Sequence, residues 1–213
     1  NGIVENNIVY TLNKTSWYRD GFPASGIRNA DELVYYSTSG ELLTNPSSDN
    51  VIKNNILIGG KYPLSFMSYD ANGGVNENWR ILNTVVANNT VIGIDESVLY
   101  IDDALHSNST FENNIFYLQK EIIMYKGLSA LEGLYFSNNC WYKGSSGILS
   151  SGSDINTDPQ FDFTSFSNTD TLIENFKLSS NSPCINAGIN LSEVKFDILG
   201  NLRQNHDIGA IET

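Results

Sequence analysis

The sequence predicts an all-β fold built from stacked repeats, and three observations lead to this prediction. A short motif with two adjacent asparagines, such as Phe-Glu-Asn-Asn-Ile-Phe-Tyr at 111–117, occurs five times. Its other positions are filled mainly by β-branched and aromatic residues, which favour strands. The second asparagines recur at intervals of 48, 34, 25 and 25 residues, and a period near 25 is typical of repeat architectures. They are Asn7, Asn55, Asn89, Asn114 and Asn139.

Each motif reads as a strand, a tight bend and a second strand, with no room for a helix. Asparagine suits the bend because it tolerates the left-handed backbone region and its amide can bond to nearby backbone groups. Strands of neighbouring repeats would lie about 4.8 Å apart, so equivalent asparagines would stand directly above one another. We therefore predict a ladder of hydrogen-bonded asparagine side chains inside the stack.

The first interval, residues 11–50, departs from the period. It is either two repeats with a degraded middle motif or one repeat with a long loop, and 33–36 is a candidate strand within it. The segment around Trp17 and Tyr18 is rich in turn residues. These two aromatic side chains could stack on a sugar, or they could fold over the repeats as a lid.

The second departure lies between Asn55 and Asn89, which exceeds the period by about ten residues. Residues 65–70 resemble a strand, and a strong turn signal follows at 72–74. Insertions in repeat proteins often project from the binding face. Tyr69, Asp70, Trp79 and Arg80 are therefore candidate ligand contacts, with Asp70 and Arg80 also candidate catalytic residues. The alternative is that Asp70 belongs to a turn and Trp79 packs the insertion down.

A third feature is the segment 97–106, in which Leu99 and Ile101 alternate with Tyr100 and Asp102 as in a strand with one buried face. Asp102 and Asp103 are candidate catalytic carboxylates, because a pair could perform acid and base hydrolysis of a glycosidic bond or hold a Ca²⁺ ion. Tyr100 is a candidate substrate contact. Adjacent strand residues point to opposite faces, so the carboxylates converge only if a turn intervenes. The alternative is a solvated strand end.

The repeats fade after Asn139, and we expect repeats over 1–142 followed by a final coil and closing segment over 143–213. Apolar residues of the tail, such as Phe161, Phe176 and Leu178, are expected to cover the final coil. Cys140 falls where other repeats carry isoleucine or threonine, so it should be a small buried residue. Cys184 lies in the closing segment, and we do not expect a disulfide between them.

Composition limits the partners. The net charge of −12, from 12 basic and 24 acidic residues, argues against nucleic acid, which requires a basic footprint. No apolar run approaches the length needed to span a membrane. The chain opens inside a repeat, and a first repeat needs a polar cap, so we expect an N-terminal part of the same protein to precede it.

The chain resembles the right-handed parallel β-helix proteins, through its repeats and through four short motifs in order. These motifs are Asp-Pro-Gln-Phe (158–161), Asn-Phe-Lys-Leu (175–178), Ser-Pro-Cys-Ile-Asn-Ala-Gly (182–188) and Asp-Ile-Gly-Ala-Ile-Glu (207–212). They are similar to the closing segment of secreted bacterial β-helix proteins. That class includes pectate lyases, polygalacturonases, phage tailspikes and adhesins, so the resemblance implies an architecture and not one chemistry.

The resemblance implies a secreted or surface-displayed bacterial protein that binds or degrades an extracellular polysaccharide, as a lyase or a glycoside hydrolase. The alternative is a non-catalytic adhesin or structural spike. Polygalacturonases of this class use aspartate clusters that include an adjacent pair. The glycine and histidine residues that accompany that pair are missing here, except that His106 follows Asp103 by three residues.

Overall fold

The structure is a computed structural model, and it describes residues 2–11, 25–31, 38–40, 48–68, 81–94, 96–162 and 173–213. These residues form 14 strands and no α-helix; two short 3₁₀ helices cover Gly147–Leu149 and Ile173–Phe176. The fold is all-β, as the strand-favouring residues of the repeats predicted. Within this part of the chain there is no helix with the length and hydropathy that a bilayer span requires.

The strands form three sheets. Sheet 1 contains β1 (Ile3–Glu5), β4 (Val51–Lys53), β7 (Val85–Ala87), β10 (Ser109–Glu112) and β13 (Leu134–Ser137). Sheet 2 contains β2 (Ile8–Thr11), β5 (Ile56–Gly59), β8 (Thr90–Gly93), β11 (Ile115–Ile123) and β14 (Cys140–Ser145). Sheet 3 contains β3 (Ser25–Asp31), β6 (Tyr62–Ser68), β9 (Leu99–Ile101) and β12 (Tyr125–Lys126).

Every named strand pairs in parallel with the strand three places away in sequence. The chain therefore visits sheets 1, 2 and 3 in turn and returns to sheet 1 one repeat further along. This topology is compatible with the predicted parallel β-helix. Ile3 pairs directly with Val51, so the 48-residue interval is one repeat with a long connection. The candidate strand at 33–36 lies outside the described residues.

The two asparagines of each motif have different roles. The first has positive φ, between 52° and 58° in all five motifs, so it makes the sharp bend between sheets 1 and 2. The second points inward. Its backbone N–H and Nδ2 both donate to Oδ1 of the next second asparagine, at 2.9–3.1 Å from Asn7 through Asn114. This arrangement confirms the predicted asparagine ladder.

Asp154 ends the ladder. The backbone N–H of Asn139 donates to Asp154 Oδ1 at 2.9 Å, and the indole N–H of Trp141 donates to Oδ2 at 2.9 Å. A carboxylate accepts these bonds but has no amide hydrogen to pass to a further rung. The segment that carries Asp154 also adds Ile155 alongside Cys140 by a parallel bridge.

The core lies between the three sheets and continues from one repeat to the next. Phe111 stacks on Phe136 with ring centroids 4.4 Å apart, and Phe116 stacks on Trp141 at the same distance. Because identical positions of neighbouring repeats are in register, each inward side chain meets its equivalents above and below. Offset aromatic stacking of this kind adds to the stabilisation from burial.

The tail, residues 173–213, packs against the outer face of sheet 2. Ile208 packs with Ile115 of β11, whereas Ile211 packs with Ile56 of β5. The first asparagines bind this tail. Asn113 and Ile189 exchange two hydrogen bonds of 2.8 and 3.0 Å, and Asn88 Nδ2 donates to the carbonyl of Asp207 at 3.0 Å.

The final Asp-Ile-Gly-Ala-Ile-Glu motif stabilises the tail. Glu212 accepts four backbone N–H bonds of 2.9–3.1 Å from residues 204–207. It also pairs at 3.2 Å with buried Arg203, whose guanidinium donates to Asn54 Oδ1 at 3.1 Å. Burial opposes ionisation of Glu212, but the backbone donors and Arg203 outweigh it and lower its pKa. The motif therefore has a structural role here.

Candidate functional site

The structure brings together three of the sequence-predicted residues, Tyr100, Asp102 and Asp103, at the end of β9. Leu99 and Ile101 are buried and Tyr100 is half-buried, as the alternation predicted. The Tyr100 hydroxyl donates to Asp102 Oδ1 at 2.7 Å. Burial, followed by this bond to a carboxylate, raises the pKa of the Tyr100 phenol.

The carboxylates of this region have partners within the chain. Asp103 Oδ1 accepts the backbone N–H of Ser129 at 2.6 Å. Nearby, Lys126 forms an ion pair of 2.8 Å with Glu96, and this bond raises the pKa of the Lys126 ammonium. We call Tyr62, Glu96, Tyr100, Asp102, Asp103 and Lys126 the β9 network. The Tyr62 ring links the two pairs, because it lies 4.8 Å from the Tyr100 ring and 5.8 Å from Lys126 Nζ. The catalytic roles of Asp102 and Asp103 stay predictions.

His106 contacts the backbone of the β9 network at Asp102. Its Nδ1 accepts the backbone N–H of Ile81 at 3.2 Å, and its Nε2 lies 2.9 Å from the carbonyl oxygen of Asp102. These partners require the neutral tautomer with hydrogen on Nε2. Burial lowers the pKa of the imidazole below its ordinary value, despite opposing contributions from Asp102 and Asp103. The arrangement assigns His106 a structural role.

The remaining predicted contacts, Trp17, Tyr18, Tyr69, Asp70, Trp79 and Arg80, lie outside the described residues. Among the residues that the structure describes, no three His, Cys, Asp or Glu side chains are grouped so as to hold a metal ion. Ca²⁺ prefers six to eight oxygen ligands, so Asp102 and Asp103 alone do not supply a suitable set.

A second region has the shape of a binding site. An open cleft of about 840 Å³ lies beside the last strands of sheet 2. It is lined by Glu121, Ile123, residues 141–145 and residues 156–158, and we call it the terminal cleft. Its volume falls in the range of about 300–1,000 Å³ that is typical of small-molecule sites.

An irregularity in strand pairing forms the terminal cleft. Tyr117 pairs with Tyr142, but the next pair is Ile122 with Gly144, so β11 carries extra residues opposite β14. Lys143 takes up the mismatch with a positive φ of 61°. Bulges re-aim side chains and are common next to functional sites. Here the bulge brings Glu121 to the cleft wall.

Tyr142 is the central polar group of the terminal cleft. Its ring lies 5.1 Å from that of Tyr117, and Lys143 Nζ lies 5.5 Å from its centroid. Burial, followed by a hydrogen bond to Asp158, raises the pKa of Tyr142 to about 12. The phenol is protonated at neutral pH, and its hydroxyl donates to the Asp158 carboxylate.

The residues of the terminal cleft are not among the site residues predicted from the sequence. One signal was present: Tyr117 and Tyr142 both stand three places after the second asparagine of their motifs, so they had to be neighbours in a stack. Asp158 was visible only as part of a closing motif. The register shift has no local sequence signature, because it depends on how two strands 25 residues apart pair.

No protein-family model matches the chain, and no curated protein matches it significantly.

Proposed function

We propose that the chain is a right-handed parallel β-helix protein that binds an extracellular polysaccharide in the terminal cleft. Three all-parallel sheets, strand pairing at every third strand and the asparagine ladder support the β-helix. Right-handedness is supported by the strong preference of crossovers between parallel strands of one sheet for that hand. The motifs at 158–161, 175–178, 182–188 and 207–212 support a secreted or surface-displayed bacterial protein.

The observation that carries the binding proposal is the composition of the terminal cleft. Tyr142 offers an apolar ring face and a phenol oxygen, and the exposed side chain of Ile123 adds apolar surface. Asn156, Asp158 and Glu121 add amide and carboxylate groups. Binding sites for small polar molecules combine apolar walls with a few such groups, because the apolar surface supplies affinity and the polar groups fix orientation. A pyranose has one apolar face and a rim of hydroxyls, which matches this combination.

Charge favours a neutral polysaccharide. The terminal cleft contains two carboxylates and one lysine, and the whole chain carries −12. Repulsion between like charges disfavours an approaching polyuronate, whereas a neutral glycan pays no such cost. Carboxylates also accept hydrogen bonds from sugar hydroxyls. We therefore expect xylans, mannans or glucans to bind in preference to pectate or alginate.

Binding without cleavage, as in a surface adhesin, is the second candidate and is favoured by the β9 network. Asp102 accepts from Tyr100, and Asp103 accepts from the backbone of Ser129. A lyase base of lysine or tyrosine type needs a lowered pKa. The pKa values of Tyr100, Lys126 and Tyr142 are all raised instead. A lyase base of that type would therefore have to be a residue other than these three.

The test is a binding titration of the purified chain against neutral and acidic polysaccharides, with parallel assays for new reducing ends and unsaturated uronates. Tyr142→Ala should weaken binding about tenfold, equivalent to about 1.4 kcal/mol. Tyr135→Ala is the matched control, because Tyr135 is 60% exposed on sheet 1 and does not line the cleft. Equal affinity of the Tyr142→Ala variant and the unmodified chain would contradict the proposed site. Product formation would show catalysis in addition to binding.

A further inference from the structure

Two buried thiols connect the tail to the last strand of sheet 2. Cys140 begins β14 and pairs in register with Ile115, and Cys184 lies in the tail. Both side chains are fully buried in one apolar cluster, together with Leu178 and Ile208. Both are free cysteines in the structure.

Cys140 and Cys184 pack in the same buried cluster. The thiols lie within hydrogen-bonding reach of each other, and Cys140 Sγ donates to the carbonyl of Thr157 at 3.5 Å. The backbone around Cys184 is fixed, because its N–H donates to Ser182 Oγ at 3.1 Å and its carbonyl accepts from Ile208 at 3.0 Å. Cys140 and Cys184 therefore lie together when the tail is docked against sheet 2.

We propose that Cys140 and Cys184 form an oxidative cross-linking site that joins the tail covalently to β14. The inference does not depend on polysaccharide binding. A low-molecular-weight disulfide such as oxidised glutathione is the two-electron acceptor. One protein thiolate attacks it and releases one glutathione thiol. The second protein thiolate then attacks the mixed disulfide, forms the Cys140–Cys184 bond and releases the second glutathione thiol.

Burial determines when the cross-link can form. The hydrogen bond that the Cys140 thiol makes with Cys184, followed by burial, raises the pKa of Cys140, and the thiolate is the reactive form. The docked pair is consequently slow to react, and the first attack occurs while the tail is undocked. Redocking brings the second thiol to the mixed disulfide. The cross-link then closes a loop that contains Thr157 and Asp158, so it also fixes one wall of the terminal cleft.

The test uses the full chain, incubated with oxidised glutathione in mild denaturant, returned to buffer and then alkylated in strong denaturant. We expect an intact mass lower by two hydrogen atoms, no alkylation, and a proteolytic peptide pair joined through Cys140 and Cys184. Full alkylation of both residues, stable glutathione adducts on each of them, or disulfide-linked dimers would overturn the proposal.

A stability measurement provides the second readout. The oxidised chain should unfold at a higher temperature than the reduced chain, because the cross-link restricts the unfolded state. The Cys184→Ala variant should melt at the same temperature with and without oxidant. If that variant fails to fold, comparing the oxidised and reduced forms of the unmodified chain still tests whether the cross-link forms. Equal melting temperatures of the two forms would mean that no cross-link joins the tail to β14.

Discussion

Replacing Asn114 by alanine tests the asparagine ladder at a fully buried rung. Asn114 is fully buried, and its side chain makes four hydrogen bonds. Its Oδ1 accepts from the backbone N–H and from Nδ2 of Asn89, both at 3.0 Å. Its Nδ2 donates to the Val86 carbonyl at 2.8 Å and to Asn139 Oδ1 at 3.0 Å. Alanine removes all four bonds at once.

The expected loss follows from these contacts. A buried hydrogen bond contributes about 1 kcal/mol net, so four bonds amount to about 4 kcal/mol of unfolding free energy. Water cannot replace them, because the neighbouring rungs Asn89 and Asn139 are themselves fully buried. A loss of this size is exceptional for one substitution and is diagnostic of a broken buried network.

The ladder itself supplies a matched control. Asn7 occupies the same motif position in the first repeat, but it is exposed and its side-chain amide makes two hydrogen bonds, to Glu5 and Asn55. Asn7→Ala should therefore cost about 1 kcal/mol or less. Asn114→Asp separates hydrogen bonding from volume. It fills the same space but cannot donate to Val86, so it should be at least as destabilising as alanine.

Urea unfolding, followed by tryptophan fluorescence and by circular dichroism, measures the three variants against the unmodified chain. If the ladder hydrogen bonds are the cause, Asn114→Ala should lower the free energy of unfolding by about 3 kcal/mol more than Asn7→Ala does. Similar losses for both would refute it. A nearly unchanged Asn114→Asp would show that volume, and not hydrogen bonding, determines the requirement for asparagine.

The remaining predictions concern a buried histidine and a glycine turn. Burial lowers the pKa of His106 in the folded chain, so as pH falls below 6.5 the unfolded chain binds a proton at His106 before the folded chain does. The free energy of unfolding should therefore fall with pH. This fall should be smaller in the His106→Gln variant. An unchanged pH profile in that variant would disprove this assignment. Gly133 and Gly200 both have positive φ, of 76° and 86°, but only at Gly133 would a Cβ collide with the His106 carbonyl. Gly200→Ala should cost about 1 kcal/mol, and Gly133→Ala about 2 kcal/mol more in urea unfolding. Equal costs would contradict the predicted clash.

The repeat structure was predictable because it follows from local sequence patterns. The frame around Asn114 is repeated around Asn139, and equal frames in a stack must lie side by side. The alternation of Leu99 and Ile101 with Tyr100 likewise gave the correct buried face of β9. Each prediction needed only the side-chain period of a strand and the spacing of repeats.

The path of the tail was not predictable in this way. The closing motifs indicated an ending for the repeats, but Asn54 binds Arg203 across 149 residues and Asn88 binds Asp207 across 119. Nothing near Asn54 or Asn88 in sequence indicates these partners. The asparagine pairs were predicted to form the bend and the ladder, with amide bonds to nearby backbone, and the side-chain bonds of Asn54 and Asn88 to the distant tail were not predicted.

The sequence by itself determined the all-β class, the positions of the five motifs and the inward ladder. The physical reason is that the same Asn-Asn motif occurs five times, and equivalent motifs can stack in one register. Tertiary structure alone decided which asparagine of each pair faces the tail, how Asp154 ends the ladder, and where the terminal cleft opens. These features arise where distant segments meet. Their free energy depends on shape and hydrogen-bond partners that exist only after the repeats have stacked.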